Sequence, residues 1–220
     1  MCFSAVSSIG AGVALSGVGL LTLKKAHRTN QIVFASIPLF FAIQQFTEGA
    51  LWIALQNPNY ASLQQVCTYN FLFFAQILWP IWVPLGVLFM EPKKDRRIVL
   101  QIMVALGFVV SVYLGYCLLN YPVKAVALSG HISYEQSYPA LFGRSIGYLY
   151  VLATVVPLLV SRIANMWVMG VAVAVSLLIT AILYTDYIIS VWCFFSAIIS
   201  IIVLRIISKY NENRAHLESA

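Results

Sequence analysis

Eleven residues of one apolar stretch hold most of what this sequence offers as chemistry: Ala42-Ile43-Gln44-Gln45-Phe46-Thr47-Glu48-Gly49-Ala50-Leu51-Trp52. On a helix Gln44 and Glu48 stand four apart and Gln45 and Glu48 three apart, so two amides and a carboxyl share one face, which Trp52 extends by a turn. A carboxyl among apolar neighbours is costly unless paired, protonated or hydrated, and so marks a candidate binding or proton-handling site. A second charge, Arg144, also falls in an apolar run. Its guanidinium keeps its proton, so it must reach water or meet an acid. At 1.5 Å per residue the two lie at roughly 10 Å and roughly 7.5 Å from the same end of their runs. Two readings are open: an ion pair tying two helices together, or the wall of a polar pocket for an anion or a proton.

Further polar groups collect toward the same end. Asn70, His131 and Asp186 fall at helix ends or in loops there, and Cys2 stands beside them. With Met1 removed, Cys2 would carry a thiol and a free amine together. The cysteines at 2, 67, 117 and 193 have no CxxC spacing. A disulfide in an oxidising compartment, or a metal held by Cys2 with His131, are the reactive alternatives; a lone helical cysteine otherwise packs as a small apolar residue. No metal set or cofactor motif stands out. Lysines occur only at 24, 25, 93, 94, 124 and 209, outside the middle of any apolar run, which excludes a retinal Schiff base. His27, His131 and His216 lie outside the runs, which excludes bis-His haem within them and a helix-borne HExxH site. Phosphate-loop, GxSxG and dinucleotide fingerprints are absent.

The elements that must position these groups follow from composition. Of 220 residues 61% are apolar and 9% charged, against about 25% charged in a typical soluble domain. Twenty ionised side chains, 13 basic and 7 acidic, cannot coat a soluble globule of this length, so the surrounding medium is lipid. Seven apolar runs suit spanning helices: Phe3 to Leu23, Ile32 to Leu55, Val66 to Met90, Ile98 to Tyr121, Pro139 to Val160, Trp167 to Tyr184 and Tyr187 to Ser208. The expected fold is therefore all-α, a polytopic bundle of seven transmembrane helices over 1–208 with a short cytoplasmic tail at 209–220. Helix is the only element expected to cross, because open strand edges go unsatisfied in hydrocarbon.

Orientation follows the cations. Lys24, Lys25, Arg28, Lys93, Lys94, Arg96, Arg97, Arg162, Arg205, Lys209 and Arg214, 11 of the 13, fall on one side of a seven-span fold. The positive-inside rule then puts the N-terminus outside and the C-terminus inside. The net charge of +6 is a topology signal, and nucleic acid is not an expected partner. The first run lacks a basic leader and carries its cations after it, so it is expected to be retained as a helix. Ser4, Ser8, Gly12 and Ser16 give that helix a small-residue stripe suited to close packing. Pro80 and Pro84 are expected to kink the third helix.

The start Met1-Cys2-Phe3-Ser4-Ala5, the run Ile37-Pro38-Leu39-Phe40-Phe41-Ala42-Ile43-Gln44-Gln45 leading to Glu48-Gly49 and Trp52, and Phe74-Ala75-Gln76 before Trp79-Pro80 together resemble an uncharacterised bacterial multi-pass membrane family. That family is known by its MCFSA start and catalogued as a domain of unknown function. The resemblance implies a bacterial cytoplasmic membrane location and brings no activity. The residues themselves lead to a binding or transport protein holding a small polar solute or ion at Gln44, Gln45, Glu48, Trp52, Asn70 and Arg144, with Cys2, His131 and Asp186 at the outer mouth. Two alternatives stay open: a membrane-embedded enzyme using Glu48 with Cys2 or His131, and a structural or sensory subunit. The expected partner is the lipid bilayer, and nothing indicates an oligomeric state.

Overall fold

The computed structural model describes residues 4–128, 130–139 and 145–218. Helix makes up 82% of it, and six helical stretches are long and apolar enough to cross a membrane: Ala5–Lys25, Thr29–Ala54, Pro58–Met90, Lys94–Asn120, Met166–Leu183 and Thr185–Ala215. A further apolar helix, Ser145–Val160, is shorter at 16 residues. Pro139, the expected start of that run, is not helical; its carbonyl instead accepts from the Tyr113 hydroxyl at 3.2 Å.

In chain order the helices are α1 (Ala5–Lys25), α2 (Thr29–Ala35), α3 (Ile37–Ala54), α4 (Ala61–Leu72), α5 (Trp79–Met90), α6 (Lys94–Asn120), α7 (Ser145–Val160), α8 (Met166–Leu183), α9 (Ile188–Ile199) and α10 (Ile202–Glu218). Ser4 starts α1 through a reciprocal cap: its Oγ accepts from Ser7 N–H at 3.2 Å, and Ser7 Oγ accepts from Ser4 N–H at 2.8 Å. The buried stripe of α1 is Ser8, Gly12, Leu15, Gly19 and Thr22, and it packs along α3. Closeness is the reason for the small residues: a Cβ on Gly49 of α3 would stand 2.5 Å from the Ile9 side chain.

Two expected single helices are broken. The second run divides at Ser36, between α2 and α3, where Pro38 has no N–H to give back to Phe34. The last divides at Ser200 and Ile201, between α9 and α10, where Ser200 Oγ turns back to donate to Ala197 O at 2.6 Å. Beyond that break α10 runs on past Ser208 as helix.

In the third run the prolines act through hydrogen bonding. Between α4 and α5 the chain widens into a π-helical turn, Phe73–Leu78, in which Trp79 N–H bonds to Phe74 O. Ala75 O would next look to residue 80, but Pro80 has no N–H; the Tyr150 hydroxyl donates to that carbonyl at 2.6 Å. Ser111 Oγ donates to Ile77 O at 2.8 Å. One turn on, Pro84 leaves Pro80 O without its helical donor, and α6 closes over it with Gly107, where a Cβ would lie 1.8 Å from that oxygen.

The all-α expectation needs one correction. The connection between α6 and α7 holds an antiparallel hairpin, β1 (Val123–Leu128) and β2 (His131–Gln136), with Leu128 opposite His131 and Gly130 at φ 79° in the turn. Ala125, Ile132 and Tyr134 are buried on its inner face, so it packs into the bundle against α4 and α9. Alternating inward side chains make a strand worthwhile here because the helix ends offer it an apolar floor. Around it one apolar cluster forms from Leu51, Trp52, Phe71, Leu72, Leu118 and Val191.

The other end of the bundle carries the cations and is stitched by side chains. Tyr210 donates to Met90 O at 3.2 Å, Asn211 Nδ2 to Lys25 O at 2.7 Å, and Asn30 Nδ2 to Phe89 O at 3.2 Å.

Candidate functional site

Gln44, Gln45 and Glu48 lie together in α3 and are buried, with Glu48 only 1% exposed. The face of α3 that carries Gln44, Gln45 and Glu48 is packed against its neighbours, among them α1, α4 and α9, whereas Ile43, Phe46 and Ile53 are exposed on the other side. Ser190, at the start of α9, donates to Glu48 Oε1 at 2.5 Å. The Gln44 carbonyl oxygen accepts from Trp79 Nε1 at 2.9 Å, and the Trp79 ring stacks on Phe41 with centroids 4.0 Å apart. Because an indole N–H only donates, this bond fixes the amide: Gln44 Nε2 points the other way, toward Cys193.

What remains is unpaired. Gln44 Nε2, both polar atoms of Gln45, and Glu48 Oε2 are buried with no partner in hydrogen-bond geometry among the described residues, though the Gln45 amide lies beside the Glu48 carboxyl and that of Gln44 beside Cys193; Ser8 Oγ on the facing helix α1 is in the same state. From the hairpin, the Tyr134 hydroxyl is buried and unpartnered too. Its ring stacks on Phe71 at 4.9 Å, nearly parallel, and the Glu48 carboxyl is near enough to act on it electrostatically. Burial, and then that neighbour, push the Tyr134 hydroxyl well above its ordinary range.

The hairpin is held down at both ends. Gln76, in the π-helical turn, donates through Nε2 to Gln136 Oε1 at 3.0 Å and accepts through Oε1 from the Tyr138 hydroxyl at 2.9 Å. Near the turn, Ser133 Oγ donates to Asp186 O at 3.2 Å, and the His131 ring stacks on Tyr187 at 4.8 Å and meets Tyr184 at 5.2 Å. Below the cluster, a cavity of about 40 Å³ touches Trp79 and Cys193, and one of about 220 Å³ touches Gln76, Trp192 and Cys193. The indole N–H of Trp192, which borders both, is buried without a partner among the described residues.

The residues singled out from sequence therefore separate. Gln44, Gln45 and Glu48 form one cluster, with Trp52 a turn away under the hairpin. His131 and Asp186 both lie where the hairpin meets the segment before α9, His131 by its ring against Tyr184 and Tyr187 and Asp186 by its backbone carbonyl, which accepts from Ser133. Asn70 is exposed on α4. Cys2 and Arg144 lie outside the described residues. Cys67, Cys117 and Cys193 are buried free thiols. Among the described residues no group of three or more His, Cys, Asp and Glu side chains could hold a metal ion.

Three participants escaped the sequence reading. Ser190 sits in an apolar run with nothing to distinguish it. Tyr134 was legible in principle, since Ile132 and Tyr134 alternate with polar residues beyond a Ser-Gly turn. Glu91 at the cation-rich end is a second buried carboxyl, 1% exposed. Its Oε2 accepts from Ser161 Oγ at 2.7 Å and Arg162 N–H at 3.0 Å, and its Oε1 from Lys93 N–H at 3.2 Å.

A family model described as a family of unknown function (DUF6629) matches residues 1–217. No curated protein and no solved structure matches the chain.

Proposed function

The chain belongs to this family of unknown function, and we propose that it is a seven-span protein of the bacterial cytoplasmic membrane that binds or transports a small polar solute or ion at the Gln44, Gln45 and Glu48 cluster. In this reading α7 is the short seventh crossing, the hairpin faces outside and the cation-rich end faces the cytoplasm. One observation carries it: among the described residues Gln44, Gln45, Glu48, Ser8 and Tyr134 all hold buried polar atoms without a hydrogen-bond partner, with Glu48 bonded to Ser190 of α9 and Tyr134 within its electrostatic reach. Leaving such a group unpaired costs about 1 to 3 kcal/mol each. A protein keeps several together where something else, water or a solute, completes them. The set offers donors and acceptors at once, which suits a solute or a hydrated ion better than a bare one. Adjoining cavities at Trp79 and Cys193 give it room to move inward.

The test introduces a thiol by Gln45→Cys after Cys2→Ser. Reaction in intact cells with a small membrane-impermeant thiol reagent is the expected result. No labelling of the folded protein, with normal labelling after denaturation, would leave the cluster as dry internal packing. A reporter fused after Ala220 checks the orientation, and an outside signal would overturn it.

A further inference from the structure

Glu91 does more than fill its own valences. By accepting from Arg162 N–H and Ser161 Oγ it ties the α7–α8 turn to the start of α6. Ser161 Oγ also accepts from Ile163 N–H at 3.2 Å, and Asn165 takes the left-handed conformation at φ 66°. The turn is thus held in one shape. Its outer side forms a concave cavity of about 520 Å³ lined by Arg96, Ser161, Arg162, Asn165 and Trp167. Arg162 is exposed, and its side chain makes no hydrogen bond or ion pair with the described residues. Arg96 is half-buried; its Nε is shielded from solvent, makes no hydrogen bond, and lies 3.6 Å from Asp95 Oδ2.

We propose that this cavity binds the phosphate of an anionic lipid headgroup. Two guanidiniums line one hollow and only Arg96 has an acid beside it, at Asp95, so positive charge is left over at Arg162, and the forked donors of both match phosphate oxygens. Position selects a lipid as the source. Arg162 stands two residues beyond the apolar end of α7 at Val160, and Arg96 lies in the first turn of α6. Trp167, at the start of α8, is 59% exposed, as an indole at the level of headgroups would be. Asn165 adds a neutral hydrogen-bonding group at the wall, while the Ser161 hydroxyl is spent on Glu91. The proposal rests on reading the cation-rich end as a membrane boundary and is independent of the Glu48 cluster.

The experiment uses the full chain in neutral detergent, with lipid adducts counted by native mass spectrometry. Phosphatidylglycerol should bind about tenfold better than phosphatidylcholine of the same chains. Arg162→Gln and Arg96→Gln should each weaken phosphatidylglycerol by about tenfold, the size of one lost charge-assisted contact. Arg162→Lys, which keeps charge but loses the fork, should fall between. Arg162 is exposed, so its variants keep the fold and decide the matter even if Arg96→Gln does not accumulate. Equal binding of the two lipids, or unchanged binding in Arg162→Gln, would overturn the proposal. So would binding of inorganic phosphate alone that both Gln variants abolish, without lipid preference, since that would assign the cavity to a soluble anion.

Discussion

Glu48 and Glu91 are buried to the same degree, and the chain treats them in opposite ways. Glu91 receives three donors, two of them backbone N–H groups, and both oxygens are paired. Glu48 receives one within hydrogen-bond geometry, from Ser190, and among the described residues its second oxygen has no such partner, with the Gln45 amide close by but itself incomplete. A fully paired carboxylate is structure: it joins α5, α6 and the α7–α8 turn. An incompletely paired one, set among other orphans, has the character of a site. Burial alone would not have told them apart; the count of donors does.

The comparison breaks or holds first on Glu91→Ala. Losing a buried charge that pairs three donors should lower stability in detergent by about 3 to 5 kcal/mol, read as the denaturant midpoint. Glu48→Gln keeps the shape and an acceptor, so its cost should be about 1 kcal/mol or less while solute binding is lost. Equal destabilisation by the two changes would erase the distinction. A double-mutant cycle of Glu48→Gln with Arg144→Gln sharpens it: additive stability effects mean Arg144 does not complete Glu48, whereas a coupling above about 0.5 kcal/mol would make Glu48 a paired structural carboxyl as well.

The hairpin extends the same contrast to neutral groups. Tyr138→Phe removes a hydroxyl bonded to Gln76 and should cost about 1 kcal/mol, but Tyr134→Phe removes an unpartnered one and should be neutral or slightly stabilising. A large loss from Tyr134→Phe would show that its hydroxyl is paired in the folded protein. The smallest effect is in pH. Burial raises both hydroxyls above the usual value, near 10 for an unfolded tyrosine. Each therefore supports the fold fully below that value and loses this contribution as pH rises past it toward the folded value, because only the unfolded chain then releases the proton. Stability should fall above about pH 10, less steeply in the two Phe variants.

Much of the architecture could be read directly. Apolar run length identifies helices, and every one of the six long stretches overlaps an expected run. The pairing of Gln44, Gln45 and Glu48 on one helix followed from 3.6-residue periodicity. Where irregular backbone begins was less legible. Pro80 and Pro84 were visible, but the outcome at Phe73–Leu78 is a π-helical turn completed by Tyr150 and Ser111 from other helices, and nothing local names those donors.

The amino-acid order by itself determined the helical class, the apolar runs long enough to cross a membrane, the cation-rich end and the helix that carries the Gln44, Gln45 and Glu48 cluster, because each depends on composition or on neighbours a few residues apart. Only the tertiary structure decided that Ser190, 142 residues from Glu48, is its donor, that Tyr134 reaches the same cluster from a hairpin, and that Glu91 is complete while Glu48 is not. The reason is physical: a side chain's partner is set by which helix faces pack together. That packing depends on small residues, proline-released carbonyls and the fit of the hairpin, all acting between segments distant in the chain.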